Sequence, residues 1–163
     1  MIKILVVSDC HGNRDIINKI LLKEEETTHI FIDCGDSLIG DGNPFPFSTV
    51  KGNCDIFTKL PKHITLETPL GVIYVTHGEM GLSNLSRMIL QLNPKPDILL
   101  YGHTHMHRYD YINGCHCFNP GSVALPRDGT NGTYLVIRHA NERTNINAQT
   151  NDNPVETSLT NQI

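Results

Sequence analysis

The sequence has no long hydrophobic run. No stretch approaches the roughly twenty apolar residues that a helix needs to cross a bilayer. The apolar run from Ile2 to Val7 is interrupted by Lys3 and ends at Ser8, so it is too short to serve as the core of a secretory signal peptide. We therefore expect a soluble, cytoplasmic protein without a membrane partner.

The sequence also has little net charge. Lysine and arginine together number 13 against 17 aspartates and glutamates, which gives −4 when the histidines are neutral. A chain with this balance has no long-range attraction for phosphate backbones or acidic lipid surfaces. Generic nucleic-acid binding is therefore not expected, although a local site for an anion remains compatible with the composition.

Paired cysteines are absent as well. The five cysteines are an odd number and contain no Cys-x-x-Cys pair, so we expect reduced thiols rather than a disulfide framework. Cys115 and Cys117 flank His116, and this group invites interpretation as a zinc site. Four well-placed ligands are not evident, however, and packing of the two cysteines in the core is the preferred interpretation.

At 163 residues the chain fits one domain with a proper hydrophobic core. Short apolar runs typical of strands are joined by polar loops and by two helical segments, one capped by Asn13 and one from Ser83 to Leu92. Pro69-Leu70-Gly71 and Asn113-Gly114 predict two hairpins. Asn, Thr and Gln dominate from position 141, so we expect residues 1–140 to form the domain and residues 141–163 an extended or disordered polar tail.

Seven polar residues stand just after five of the apolar runs. They are Asp9, His11, Asp36, Asn53, His77, His103 and His105. Side chains that are distant in sequence converge where the strands of an α/β sheet end, so this placement predicts one site. Carboxylates and imidazoles bind divalent first-row metals, and the set supplies enough donors for two ions. Such a pair is suited to the hydrolysis of phosphoesters.

These residues also resemble an ordered family signature. The blocks Asp9-Cys10-His11, Gly35-Asp36, Gly52-Asn53-Cys54-Asp55, His77-Gly78 and Gly102-His103-Thr104-His105 are similar, in this order, to the motifs of the calcineurin-like metallophosphoesterases. The short chain and Asn119-Pro120-Gly121-Ser122 resemble their small bacterial and archaeal phosphodiesterase branch. The resemblance implies an α/β fold, namely a four-layer α/β/β/α sandwich of two mixed β-sheets flanked by helices.

The resemblance also implies how the site is used. One metal would be held by Asp9, His11 and His105, and the other by Asn53, His77 and His103, with Asp36 as the bridge. Manganese is the metal that we expect first, with iron, zinc and nickel as alternatives. A phosphodiester would be hydrolysed by attack of a dimetal-bound hydroxide, while His77 or Asn53 neutralises the developing charge.

One position departs from the family pattern. Many relatives have a histidine after the Gly-Asn pair, where it can protonate the leaving group, and this chain has Cys54. A thiol is a weaker proton donor than imidazolium at neutral pH, so we expect a preference for good leaving groups or dependence on another acid such as His107 or a metal-bound water. Asp55 is interpreted either as a residue that orients a group of the site or as a helix cap or surface residue.

Two alternatives stay open. A phosphomonoesterase of the same fold would use the same residues. The retromer subunit with this fold is an interaction scaffold with an altered metal site, whereas every ligand that the resemblance implies is present in this chain. The expected partner is a small phosphoester substrate, and assembly into a homo-oligomer is left open.

Overall fold

The computed structural model of the chain describes residues 1–40, 42–140, 143–151 and 157–159. Within these ranges the helices are α1 (Arg14–Glu24) and α2 (Leu82–Gln91), with a short 3-10 turn at Glu25–Thr27. The strands are β1 (Ile2–Val7), β2 (Ile30–Asp33), β3 (Ser48–Thr49), β4 (His63–Thr68), β5 (Gly71–Thr76), β6 (Ile98–Leu100), β7 (His107–Ile112), β8 (Cys115–Pro120), β9 (Thr133–Ala140), β10 (Arg143–Thr150) and β11 (Thr157–Leu159). Neither α1 nor α2 has the length and apolar character that a membrane span requires.

The strands form two mixed sheets. The first sheet has the order β11-β10-β9-β1-β2-β3, and the second has the order β4-β5-β6-β8-β7. In the first sheet β1, β2 and β3 run parallel, and in the second β5, β6 and β8 run parallel. The carboxyl ends of each parallel set therefore lie at one edge of its sheet, which is where ligands bind in α/β folds.

The alternation of side chains along β1 builds the layers. Ile4 and Val6 face the second sheet and join the core between the two sheets. Leu5 and Val7 point the other way and pack with Ile17 of α1. Because α2 covers the outer face of the second sheet, the layers follow the order α1, first sheet, second sheet, α2. This confirms the predicted four-layer α/β/β/α sandwich.

Local predictions agree with the structure at several positions. The side chain of Asn13 accepts a hydrogen bond from the Ile16 backbone N–H at 3.2 Å, which caps α1. Asn113 and Gly114 have φ values of 51° and 76°, as a two-residue hairpin turn between β7 and β8 requires. Cys115 and Cys117 are buried beneath α2 as free thiols, in keeping with core packing.

The structure differs from the sequence prediction after Ala140. An extended or disordered tail was expected there, but Arg143–Thr150 pairs with β9 over its whole length as β10. Only Thr144, Ile146 and Gln149 of this strand are buried, so it lacks the apolar alternation that marks a strand in sequence. Beyond Asn151, the expected tail lies outside the described residues except for residues 157–159.

Candidate metal centre

The strand ends deliver all seven predicted ligands to one region. In the first sheet, β1 leads to Asp9 and His11, β2 leads to Asp36, and β3 leads to Asn53. In the second sheet, β5 leads to His77, and β6 leads to His103 and His105. The two sets meet between the sheets in two groups of polar atoms, which are described in turn.

The first group consists of Asp9, His11 and His105. His105 Nδ1 lies 2.7 Å from the carbonyl oxygen of Leu125. A carbonyl can only accept, so His105 carries its proton on Nδ1, and the neutral ring has a lone pair on Nε2. That Nε2 atom lies 3.2 Å from Asp9 Oδ1 and 3.3 Å from His11 Nε2. Three electron-rich atoms thus converge on one point.

Asp9 Oδ1 shows that this group fits a cation. The atom is fully buried and accepts no hydrogen bond from any residue that the structure describes. An unpaired buried carboxylate oxygen is strongly unfavourable, and a bound metal ion is the usual partner in a cluster of carboxylate and imidazole donors. The other oxygen, Asp9 Oδ2, accepts from Ser8 Oγ at 2.5 Å and from the His103 backbone N–H at 3.1 Å, which fixes the carboxylate.

The second group consists of His77, Asn53, Asp36 and His103. His77 Nδ1 lies 2.8 Å from the carbonyl oxygen of Cys34, which directs Nε2 towards Asn53 Oδ1 at 3.0 Å and Asp36 Oδ2 at 3.4 Å. His103 Nδ1 approaches the same Asn53 oxygen at 2.9 Å. The ligand atoms again face one another rather than separate partners, so this group also offers a place for positive charge.

Asp36 lies between the two groups. One of its oxygens belongs to a set of atoms within 4.8 Å of one another with Asp9 and His77, and another such set joins Asp36 to His11 and Cys54. Burial alone would raise the pKa of the Asp36 carboxyl, but hydrogen bonds from His77 and from the Cys54 backbone N–H outweigh it and hold this pKa well below its usual range. The carboxylate is therefore charged at neutral pH.

His77 responds to the same arrangement in the opposite direction. Burial lowers the pKa of His77, but the carboxylates of Asp36 and Asp9 raise it overall. A positive charge is thus favoured at this imidazole. A metal ion at Nε2 would supply that charge in place of a proton, because both species bind to the same lone pair.

Asp55 connects the two loops of the first sheet. Its side chain is 1% exposed and accepts from the backbone N–H groups of Asp36 at 2.8 Å, Leu38 at 2.9 Å and Gly52 at 2.9 Å. These bonds join the loop that carries Asp36 to the loop that carries Asn53. The geometry therefore favours the orienting interpretation of Asp55 over that of a surface residue or helix cap.

Backbone strain is concentrated among the predicted ligands. The φ angles of Asp9, His11, Asp36, His103 and His105 are 54°, 45°, 55°, 71° and 60°. Residues other than glycine rarely adopt this left-handed region, and such outliers cluster at functional sites. Backbone hydrogen bonds hold the strained loops together, from Asp9 N–H to Gly35 O and from His11 N–H to Asp36 O, both at 3.0 Å.

Cys54 stands on the exposed rim of the site. Asn53 Nδ2 donates to Cys54 Sγ at 3.3 Å, and the Cys54 backbone N–H donates to Asp36 Oδ1 at 2.7 Å. Burial and the Asp36 carboxylate raise the pKa of the Cys54 thiol to about 11, so it is protonated at neutral pH. His107, the other acid considered from the sequence, is half-exposed and bound to Asp128 Oδ2 at 2.7 Å.

The sequence alone did not single out two residues that lie next to the predicted ligands. Ser122 Oγ donates to the Asp9 carbonyl at 2.8 Å and accepts from the Leu125 backbone N–H at 2.8 Å, so it links Asp9 to the loop that orients His105. Asp33 is buried beneath the site, and burial raises its pKa to about 8. Ser122 belongs to the Asn119-Pro120-Gly121-Ser122 segment of the family resemblance, but nothing in the sequence singles out Asp33.

Known proteins are similar to this chain in sequence. A sequence profile of the calcineurin-like phosphoesterase superfamily domain matches residues 2–142. The chain is 28% identical over 150 residues to the probable metallophosphoesterase YsnB of Bacillus subtilis, with 88% of each chain covered. It is 26% identical over 166 residues to the phosphodiesterase YfcE of Escherichia coli, with 84% of this chain and 88% of that protein covered.

Solved structures extend the comparison to the fold. A predicted phosphoesterase from Streptococcus pneumoniae superposes with a TM-score of 0.83 at 24% identity and covers 99% of this chain and 96% of its own. Vacuolar protein sorting 29 from Cryptosporidium parvum superposes with a TM-score of 0.71 at 16% identity, with 90% of each chain covered. The fold is thus shared by a predicted phosphoesterase and by a sorting protein. The profile match over nearly the whole described domain shows that the chain belongs to the calcineurin-like phosphoesterase superfamily.

Proposed function

We propose that this chain is a metal-dependent phosphodiesterase that uses two divalent ions. The observation that carries the proposal is the convergence of ligand atoms around the unpartnered, buried Asp9 Oδ1. Asp9, His11 and His105 would hold one ion, Asn53, His77 and His103 would hold the other, and Asp36 would bridge them. Manganese is the first candidate. Mixed nitrogen and oxygen ligands would also accept iron, zinc and nickel.

Each side chain of the site has a definable task in this reaction. Bound divalent ions supply Lewis acidity, which lowers the pKa of water and neutralises charge on phosphoryl oxygens. Asp36 stays ionised because of its lowered pKa and supplies the shared negative charge. Asp55 positions the loops of Asp36 and Asn53 through its backbone hydrogen bonds. His77 would act through the ion that it holds, because its Nδ1 lies at the Cys34 carbonyl and its Nε2 faces the other ligand atoms. Asn53 would hold the same ion at the exposed side of the site.

The site has a buried floor and an open rim. Asp9, Asp36, His77 and His105 are all at most 5% exposed, whereas Asn53 and Cys54 are exposed. A phosphoester therefore approaches from the side of Asn53 and Cys54, and its leaving group departs near the rim. The name of YfcE, phosphodiesterase, supports the choice of a diester as substrate.

The test combines metal content with hydrolysis of a chromogenic phosphodiester. We expect wild-type protein reconstituted with manganese to bind two ions and to release p-nitrophenolate from bis(p-nitrophenyl) phosphate. Asp36→Asn should lower the rate by about 100-fold or more, because the variant loses a central charge of the site. Asp15→Asn, on the exposed first turn of α1, is the matched control. Unchanged activity in Asp36→Asn would rule out the bridging role.

Cys54 calls for a separate test. We propose that the chain favours good leaving groups, because a thiol is a weaker proton donor at neutral pH than the imidazolium that many relatives offer at this position. Cys54→His should raise turnover most for esters whose leaving groups have a high pKa. A rate increase that is equal for all leaving groups, or no increase at all, would remove the basis for a leaving-group role at this position.

Two alternatives remain distinct proposals. A phosphomonoesterase would differ only in preferring monoesters, and a parallel screen of p-nitrophenyl phosphate measures this. The likeness to vacuolar protein sorting 29 gives weight to an interaction scaffold. A metal-stripped protein that keeps a binding partner, together with no metal-stimulated hydrolysis of any ester, would favour the scaffold.

A further inference from the structure

Two cavities adjoin the candidate metal centre on the side of Asn53 and His77. One has a volume of about 230 Å³ and reaches His77, and the other has a volume of about 260 Å³ and reaches Asn53. Both are lined by Lys51, Lys62 and Glu79, so they share one wall. We call these two cavities together the side cleft. A substrate at the metal centre can extend into it without leaving the protein surface.

The cavity beside His77 has aromatic rings and thioethers on one part of its lining, next to the charged residues of the shared wall. His63 and Tyr74 stack with their ring centroids 5.3 Å apart and their planes 18° apart. Met80, which is exposed, and Met88, which is half-buried, contribute polarizable thioethers to the same cavity. Stacked rings and methionine side chains favour contact with a planar ring. A volume of about 230 Å³ accommodates one such ring rather than a long chain.

The shared wall contributes positive charge. Lys51 Nζ is held by the carbonyl oxygens of Ile56 and Thr58, both at 3.2 Å. Lys62 has no hydrogen-bond or ion-pair partner among the described residues, so its ammonium group can interact with a ligand. Glu79 offsets one of the two charges, and the wall keeps a net positive charge in a chain whose overall charge is −4. An additional anionic group is therefore favoured at this wall.

We propose that the side cleft binds the non-leaving arm of a nucleotide-type phosphodiester, with the planar base in the cavity beside His77 and a second phosphate at Lys62. The inference rests on the proposed phosphodiesterase activity and specifies its substrate class. The cavity between the two sheets, lined by Tyr109, Phe118, Leu135 and Ile146 among others, has a similar volume of about 240 Å³. It contains no lysine and none of the predicted metal ligands. Only the side cleft, of the two, combines rings, lysine side chains and proximity to the predicted metal ligands.

The test uses three diesters with the same leaving group, so that chemistry at phosphorus stays constant. They are ethyl p-nitrophenyl phosphate, thymidine 5′-(p-nitrophenyl phosphate), and the latter compound with a 3′-phosphate. In each case water adds to phosphorus and p-nitrophenolate leaves. We expect kcat/KM to rise about tenfold from the ethyl ester to the thymidine ester through ring stacking. The 3′-phosphate should add about fivefold through Lys62.

Variants locate these gains. Lys62→Gln should abolish the gain from the 3′-phosphate and leave the ethyl ester unaffected, and His63→Ala should reduce the gain from thymidine about fivefold. Lys19→Gln, on the exposed face of α1, makes the same change in net charge and is the control. Equal kcat/KM for the three esters in the wild type would overturn the proposal for the side cleft and leave the phosphodiesterase activity in place.

A direct binding measurement separates the two proposals. If no ester is hydrolysed with manganese, the proposed activity fails, and calorimetric titration with thymidine 3′,5′-bisphosphate then decides the side cleft. Affinity that falls about fivefold in Lys62→Gln and not in Lys19→Gln supports the proposal. The same affinity in both variants, or no binding to the wild type, overturns it.

Discussion

Asp55 offers the sharpest test of how the site is built. Its carboxylate accepts three backbone N–H groups, from Asp36, Leu38 and Gly52, at 2.8 to 2.9 Å, and its side chain is 1% exposed. Asp55→Ala leaves three donors without an acceptor, at a cost of roughly 1–2 kcal/mol each, or about 3–6 kcal/mol in total. Asp55→Asn keeps one carbonyl oxygen, so it should cost about 1–3 kcal/mol.

The assay is urea unfolding monitored by circular dichroism. Each variant that remains folded is then titrated with metal. Asp15→Ala, which removes an exposed carboxylate from the first turn of α1, should change stability by about 0.5 kcal/mol or less. Because Asp55 positions the loops of Asp36 and Asn53, Asp55→Asn should also weaken metal binding about 10- to 100-fold. If the free energy of unfolding of Asp55→Ala lies within about 0.5 kcal/mol of that of the wild type, the three hydrogen bonds do not contribute the stability assigned to them.

Three further substitutions probe the surroundings of the site. Gly102→Ala would place a methyl group against Ser8 Oγ and 2.8 Å from Asp9 Oδ2. Metal affinity should therefore fall about 10- to 100-fold, and an unchanged metal titration would contradict this. Ser122→Ala removes the hydroxyl that bonds the Asp9 carbonyl and should cost about 1–3 kcal/mol in urea unfolding; a smaller loss would show that the loop is held by other contacts. The pKa of Asp33 is about 8 in the folded chain against 3.8 for a free carboxyl, so its stabilising contribution is complete below about pH 4 and declines up to about pH 8, by at most about 1.4 kcal/mol per pH unit. Asp33→Asn removes this decline, and parallel stability curves for the two proteins in EDTA between pH 5 and pH 8 would refute it.

The fold was predictable wherever a local signal and a tertiary role coincide. The cap at Asn13 and the turn at Asn113-Gly114 are set by short-range chemistry, and the structure has both. β10 was not predictable in this way, because Ile146 is its one buried aliphatic side chain. Its stability comes from pairing with β9 along eight residues, and backbone pairing leaves no trace in composition.

The residue types of the site and their places at strand ends were predictable from the sequence. The residues that hold these ligands in position were less predictable. The seven ligands stand in the sequence as chemically distinctive groups, and the strands bring them together. Ser122 and the carbonyl of Leu125 act through positions that only the folded chain creates. Metal binding by each of the seven residues stays a prediction.

The left-handed backbone of the predicted ligands explains why the site must be built by the fold rather than by the ion. Each such residue other than glycine costs roughly 1–2 kcal/mol, and five of the seven ligands adopt this conformation. Hydrogen bonds within and between the loops maintain that strain, since Asp9 and His11 bond to the loop of Asp36, and Asp55 bonds that loop to Gly52. The ligand atoms are consequently held close together against their mutual repulsion. Binding of cations would relieve that repulsion, so the backbone holds the predicted ligands in an arrangement suited to a cation before one is bound.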